Sequence, residues 1–177
     1  RAAAHFARAA ETVPQNRIEM RWQYRLNQTD AQFQRGDLFN EAGHLRGAVL
    51  LYRETVLPLA PRDSRPGDWA STQNNLGNAL LALGTRGHDA ALGDALAAFV
   101  AALEVRTRQR SASEWAATQG NLALVLLELG ERGDDRALRH AIEINRALLG
   151  VFPRDRTPVD WAKVQNNLGN ALTILGE

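Results

Sequence analysis

The chain has 177 residues, 45% of them hydrophobic and 23% charged, which suits a soluble globular core. A net charge of +1 argues against a global pull toward nucleic acid or anionic membrane, and the absence of cysteine excludes disulfides and thiolate metal sites. No apolar run reaches the ~18 residues of a membrane span, and the first residues are too charged for a signal peptide.

The chain begins at Arg1 and its only methionine is Met20, so the expectation is a piece of a longer protein. Residues 1–15 read as a helix with Ala2, Phe6, Ala9 and Pro14 at spacings of four, three and five. The same spacings return as Ala95, Phe99, Ala102 and Thr107, and again as Ala141, Asn145, Leu148 and Pro153. Residues 1–15 therefore look like the second helix (helix B) of a repeat whose first helix (helix A) is missing.

Residues 16–62 read as a degenerate repeat headed by Trp22. Trp22 lies 47 residues before Trp69, whereas Trp69, Trp115 and Trp161 are 46 apart. Trp22 to Tyr52 matches Trp69 to Phe99, so one extra residue falls after Tyr52, expected near Pro58. Thr29, Asp30 and Gln32 replace small or apolar residues of the later copies.

Residues 63–108 and 109–154 are full repeats, and 155–177 is a third helix A. Each starts with the same phrase, from Trp69 to Gly84, Trp115 to Gly130 and Trp161 to Gly176. Apolar residues recur on one helical face, not in alternation. Ser111 with Glu114 forms a capping-box pattern, and Thr157 with Pro158 suits a helix start. Gly130 is placed for a left-handed helix end, and Asp89 and Asp135 for N-caps of helix B. A fixed period of this size marks a stacked array. The predicted fold is an all-α α-solenoid of antiparallel helical hairpins, with about eight helices.

Most repeated residues have packing roles. Leu76, Leu122 and Leu168, with Leu80, Leu126 and Leu172, form the seam of helix A. Trp69, Trp115 and Trp161 are expected to wedge between repeats. Gln73, Gln119 and Gln165 are expected to satisfy backbone groups between hairpins. Arg62, Arg108 and Arg154, seven before each tryptophan, are expected to tie to a neighbouring helix C-terminus. Asn75, Asn121 and Asn167 suit a structural hydrogen bond. The histidines lack metal-ligand spacing, and no catalytic constellation or phosphate loop is visible, so neither an enzyme, a metal nor a cofactor is expected.

The four-three-five spacing, with Leu-Gly or Leu-Ala in helix A, resembles the tetratricopeptide repeat. The 46-residue unit, with its Asn-Asn-Leu-Gly phrase, resembles the long-period bacterial members and is similar to the repeats of kinesin light chain. That resemblance implies a right-handed superhelix with a concave groove lined by the A helices. Its ligand-contacting columns then fall on Ser71, Asn74 and Asn78, on Leu124 in the middle copy, and on Lys163, Asn166 and Asn170. Paired amides suit an extended peptide backbone; the alternative is a solvated surface. The resemblance implies a cytoplasmic protein- or peptide-binding scaffold within a larger bacterial regulatory or signalling protein, with no nucleic-acid or membrane partner. The alternative is a homotypic module, possible as a homodimer through Leu168, Leu172 and Leu175, which are expected to be partly exposed; a truncation effect would expose them equally.

Overall fold

The computed structural model describes residues 1–176. Eight α-helices stand among them: α1 (Ala2–Thr12), α2 (Ile18–Leu38), α3 (Ala42–Leu51), α4 (Pro66–Gly84), α5 (Ala90–Leu103), α6 (Ala112–Glu131), α7 (Asp135–Leu149) and α8 (Pro158–Leu175). The fold is of the all-α helical-repeat class, with sequential helices packing as hairpins α2–α3, α4–α5 and α6–α7. The chain divides into two compact units, Arg1–Val105 and Arg106–Glu177.

In the first unit, α1 packs on α2, α2 on α3, α3 on α4 and α4 on α5. The seam leucines of α4, Leu76 and Leu80, are buried against α5. Each such side chain stabilises by roughly 1.5–3 kcal/mol. The extra residue between Tyr52 and Arg62 lies in a π-helical turn, Tyr52–Val56, that continues α3. Tyr52 aligns with Phe99 and Val56 with Ala102, and all four are buried. An i→i+5 turn takes up one residue without breaking the helix, so the insertion sits within the helix instead of near Pro58.

The glycines of the Leu-Gly phrase do a different job from the one expected of Gly130. Gly84 and Gly130 are helical and buried. A Cβ at Gly84 would overlap the Leu92 side chain, and one at Gly130 would overlap Leu138. In the degenerate repeat, a Cβ at Gly36 would lie 2.8 Å from the backbone nitrogen of Leu45. These glycines let helix B start hard against helix A. The left-handed residues come three positions later, at Gly87 (φ 85°) and Gly133 (φ 95°), and in the first hairpin Asn40 (φ 55°) follows Gly36 by four. Among the described residues, only Gly176 (φ 81°) ends its helix in the left-handed region, directly at the phrase glycine.

The caps are also shifted. Ser111 accepts from the Glu114 N–H at 3.4 Å, one half of the capping box, while its own N–H donates to the Thr107 carbonyl at 3.0 Å. Asp134, not Asp135, caps α7, accepting from the Arg136 and Ala137 N–H groups at 3.0 Å. Asp89 stands at the N-cap of α5 without a side-chain cap bond. Thr157 precedes Pro158, but its hydroxyl donates back to the Pro153 carbonyl at 3.1 Å.

The second unit packs α6 on α7, α7 on α8 and α6 on α8. Leu122 and Leu126 are buried at 5% exposure each. Asn145 occupies the position of Phe99 and Tyr52, at 1% exposure. Its amide donates to the Ala141 carbonyl at 2.8 Å, and its Oδ1 has no partner. The corresponding leucines of α8, Leu168 and Leu172, are partly exposed, as is Leu175.

Candidate functional site

Each repeated tryptophan is met by an arginine. Trp22 is buried, and its indole N–H donates to Thr72 Oγ1 at 3.1 Å. Arg65 lies 5.1 Å from the Trp22 ring centroid. Arg62, Arg108 and Arg154 stack over Trp69, Trp115 and Trp161 at 5.0, 5.8 and 5.2 Å. Each thus meets the ring seven residues on, a cation–π pairing worth about 0.5–1 kcal/mol where exposed. Arg62 also pairs with Glu104 at 2.7 Å, at the C-cap of α5, which is the helix-end tie expected from sequence. The glutamines do not act uniformly as turn fasteners: Gln119 Oε1 is buried without a partner.

In the first unit, Ser71, Asn74 and Asn78 lie on α4, each half-exposed. Asn78 lines a cavity of about 200 Å³ with Asp30, Phe33, Gln34, Tyr52 and Asn75. Beneath it, the Tyr52 hydroxyl and the Asn75 amide both donate to Asp30 Oδ1, the latter at 3.2 Å. Asn74 donates to Asn75 Oδ1 at 3.4 Å. Burial raises the Asp30 pKa above the usual carboxylate value, against the two hydrogen bonds that favour its charge. Burial, then the Asp30 charge, raises the Tyr52 pKa. Asp30, one of the residues that made the first repeat look degenerate, thus centres a polar cluster, whereas Thr29 donates to the Arg25 carbonyl and Gln32 to the His44 carbonyl; Asn75 has the structural bond expected of its column.

In the second unit, α6 and α8 bring three predicted residues together. Leu124, Lys163 and Asn166 line a cavity of about 670 Å³ with Pro158, Val159, Ala162 and Asn167. A neighbouring cavity of about 400 Å³ shares Leu124, Lys163 and Asn167 and reaches Ala117, Gly120 and Asn121. Lys163 is exposed and lies 3.8 Å from Asp160, a pairing too open to hold it. Asn170, also exposed on α8, is outside both linings. Pro158, Val159 and Ala162 were missed from sequence. Their one signal was position: they occupy the first turns of a helix A whose first turn was assigned only to capping.

Among the described residues, no three His, Cys, Asp or Glu side chains cluster as a metal site would need. None of the described helices is long and apolar enough to cross a membrane. Residues 115–155, which span most of α6, all of α7 and the turn after it, match the family model for the tetratricopeptide repeat. That segment, under half of the chain, is similar to a tetratricopeptide repeat. A search of curated proteins found no match. Tetratricopeptide repeats are protein-interaction scaffolds, and the α6–α7 hairpin is the part that carries the match.

Proposed function

We propose that this chain is a tetratricopeptide-repeat array and binds an extended peptide or protein segment along its A helices, within a larger bacterial regulatory or signalling protein of the cytoplasm. The 46-residue period supports the long-period type, similar to kinesin light chain. The observation that carries the binding reading is the trough between α6 and α8. It has an apolar floor at Leu124, Val159 and Ala162, amides at Asn166 and Asn167, and a single cation at Lys163. Apolar side chains of a partner would enter the floor while its backbone amides pair with the asparagines. Ser71, Asn74 and Asn78 offer an analogous polar face on α4, and Asn170 extends the one on α8. The near-neutral charge favours a peptide over nucleic acid.

The test is selection of peptides from a random library on the full chain. Leu124→Asp with Asn166→Ala is expected to weaken selected peptides by about tenfold or more, since 1.4 kcal/mol is tenfold and a buried anchor contributes at least that. Asn78→Ala with Asn170→Ala is the milder companion. If both pairs leave the affinity of every selected peptide unchanged, the A helices are not the binding face.

A further inference from the structure

The first repeat differs from the next at two facing positions, and the two changes belong together. Eight residues after the repeat tryptophans stand Asp30, Gly77, Ala123 and Gly169. In the α4–α5 hairpin the Phe99 ring lies against Gly77, 2.7 Å from where a Cβ would be. In the α2–α3 hairpin a carboxylate replaces that glycine and a tyrosine replaces that phenylalanine, and the Tyr52 hydroxyl donates to Asp30 Oδ1. Asn75 of α4 donates to the same oxygen at 3.2 Å. What is a packing contact in the later hairpin is a held carboxylate in this one.

Both donors hold one oxygen. Among the described residues, nothing donates to Asp30 Oδ2 and no arginine, lysine or histidine pairs with Asp30. Nor is Oδ2 one of the sealed, unpartnered atoms, so it is open to the cavity that Asp30 lines. That cavity, about 200 Å³, is walled on the α2 side by Phe33 and Gln34, one turn on from Asp30, and on the α4 side by Asn75 and Asn78. Gln34 and Asn78 make no side-chain hydrogen bond among the described residues, so each has an amide oxygen to turn inward. The cavity therefore offers a negative charge, two amide acceptors and an aromatic ring, and none of its lining residues is cationic. A carboxylate partly withdrawn from water is disfavoured until an opposite charge meets it, and burial raises the Asp30 pKa accordingly.

The geometry discriminates between the two strongly basic side chains. A guanidinium grips a carboxylate best through both oxygens, and Oδ1 is already engaged by Tyr52 and Asn75. An ammonium is a compact charge with three donors, and three acceptors surround the space: Asp30 Oδ2, Asn78 Oδ1 and Gln34 Oε1. Its methylene stem has the Phe33 ring to lie along.

We propose that this cavity receives a lysine side chain of a bound peptide, with the ammonium on Asp30 Oδ2. The inference rests on the A-helix binding reading and adds to it one position at which the partner carries a primary ammonium.

Two arms test it on the full chain. The first needs no peptide: n-butylammonium chloride is titrated in, and the side-chain amide resonances of Asn75 and Asn78 are followed by NMR. They should shift saturably in wild type, far less in Asp30→Asn, and not with neutral n-butanol. Asp30→Asn keeps an acceptor for Tyr52 and Asn75 while removing the charge. Asn78→Leu is the second variant: it leaves the bonds to Oδ1 in place and should weaken the ammonium response read at Asn75. The second arm takes the peptides selected from the random library. Replacing their lysine by norleucine should weaken binding to wild type by about tenfold, and leave binding to Asp30→Asn nearly unchanged. The proposal is overturned if n-butylammonium moves neither amide, or if norleucine costs both chains the same affinity. Lysine-free peptides that lose affinity only with Leu124→Asp and Asn166→Ala would also overturn it, and would leave the groove reading standing. A saturable ammonium response from a chain that selects no peptide would instead uphold the cavity's preference and sink the groove reading.

Discussion

Replacing Gly130 by alanine sets two effects of known sign against each other. Alanine is the better helix former by about 1 kcal/mol in a helix interior. Against this, the new Cβ overlaps the Leu138 side chain. Leu138 is only 1% exposed, so no empty space receives its displaced methyl groups. Overpacking of that kind costs roughly 1–3 kcal/mol, which leaves a net loss of up to about 2 kcal/mol. Gly36→Ala should lose more, because the atom it approaches is the backbone nitrogen of Leu45, which cannot rotate away. Gly169→Ala is the control: it is helical, and nothing lies within 4 Å of its Cβ position. There only the propensity gain remains, about 1 kcal/mol of stabilisation. Urea denaturation followed by circular dichroism, at low protein concentration, reads all three. If Gly130→Ala and Gly169→Ala shift the midpoint in the same direction, close helix approach is not what the glycine at the end of the repeated phrase provides.

Two other outcomes follow from the polar core. Asp30 has its pKa raised by burial, so the folded state binds its proton more tightly than the unfolded chain does. Its contribution to stability is greatest below the ordinary carboxylate pKa and is lost as pH rises through the raised folded value. Asp30→Asn keeps an acceptor for Tyr52 and Asn75 but removes the titration. The stability of wild type relative to this variant should fall across that window, and urea midpoints that show it flat or rising would contradict the burial effect. Asn145→Leu removes a buried amide oxygen that has no partner and should stabilise by about 1 kcal/mol, since an unsatisfied buried acceptor costs about 1–3 kcal/mol. Thermal melts of the two chains compare them directly.

The hairpin architecture was legible because burial imposes a periodicity that survives in the residues themselves. Leu76 and Leu122 sit at one period because each is buried in a seam, Leu168 keeps that period, and the tryptophans mark the frame. The one-residue slip was legible too, but its location was not. A π-helical turn leaves no mark in composition, whereas Pro58 is a conspicuous breaker and drew the insertion to itself. Gly130 was misread for a related reason. A glycine after an apolar run suits a helix end and a close approach equally, and only the position of Leu138 decides between them. The arginines were placed by offset without their rings, because seven residues across a turn say nothing about which side chains meet. The site divides in the same way. Leu124, Lys163 and Asn166 come from two helices and from three of the repeat columns chosen from sequence, so the period pointed to them although Leu124's own counterpart, Asn170, lies outside the cavity. Pro158, Val159 and Ala162 enter the same cavity through the packing of α8 on α6, which no local pattern encodes.

The central claim is that a partner lies along the A helices. The direct measurement is the amide hydrogen-exchange footprint of a library-selected peptide on the full chain. Slowed exchange concentrated in α6 around Leu124 and in the first turns of α8 through Asn166, with α7 unchanged, is the expected result. Protection confined to α5 or α7, with α6 and α8 exchanging as in the free chain, would contradict it.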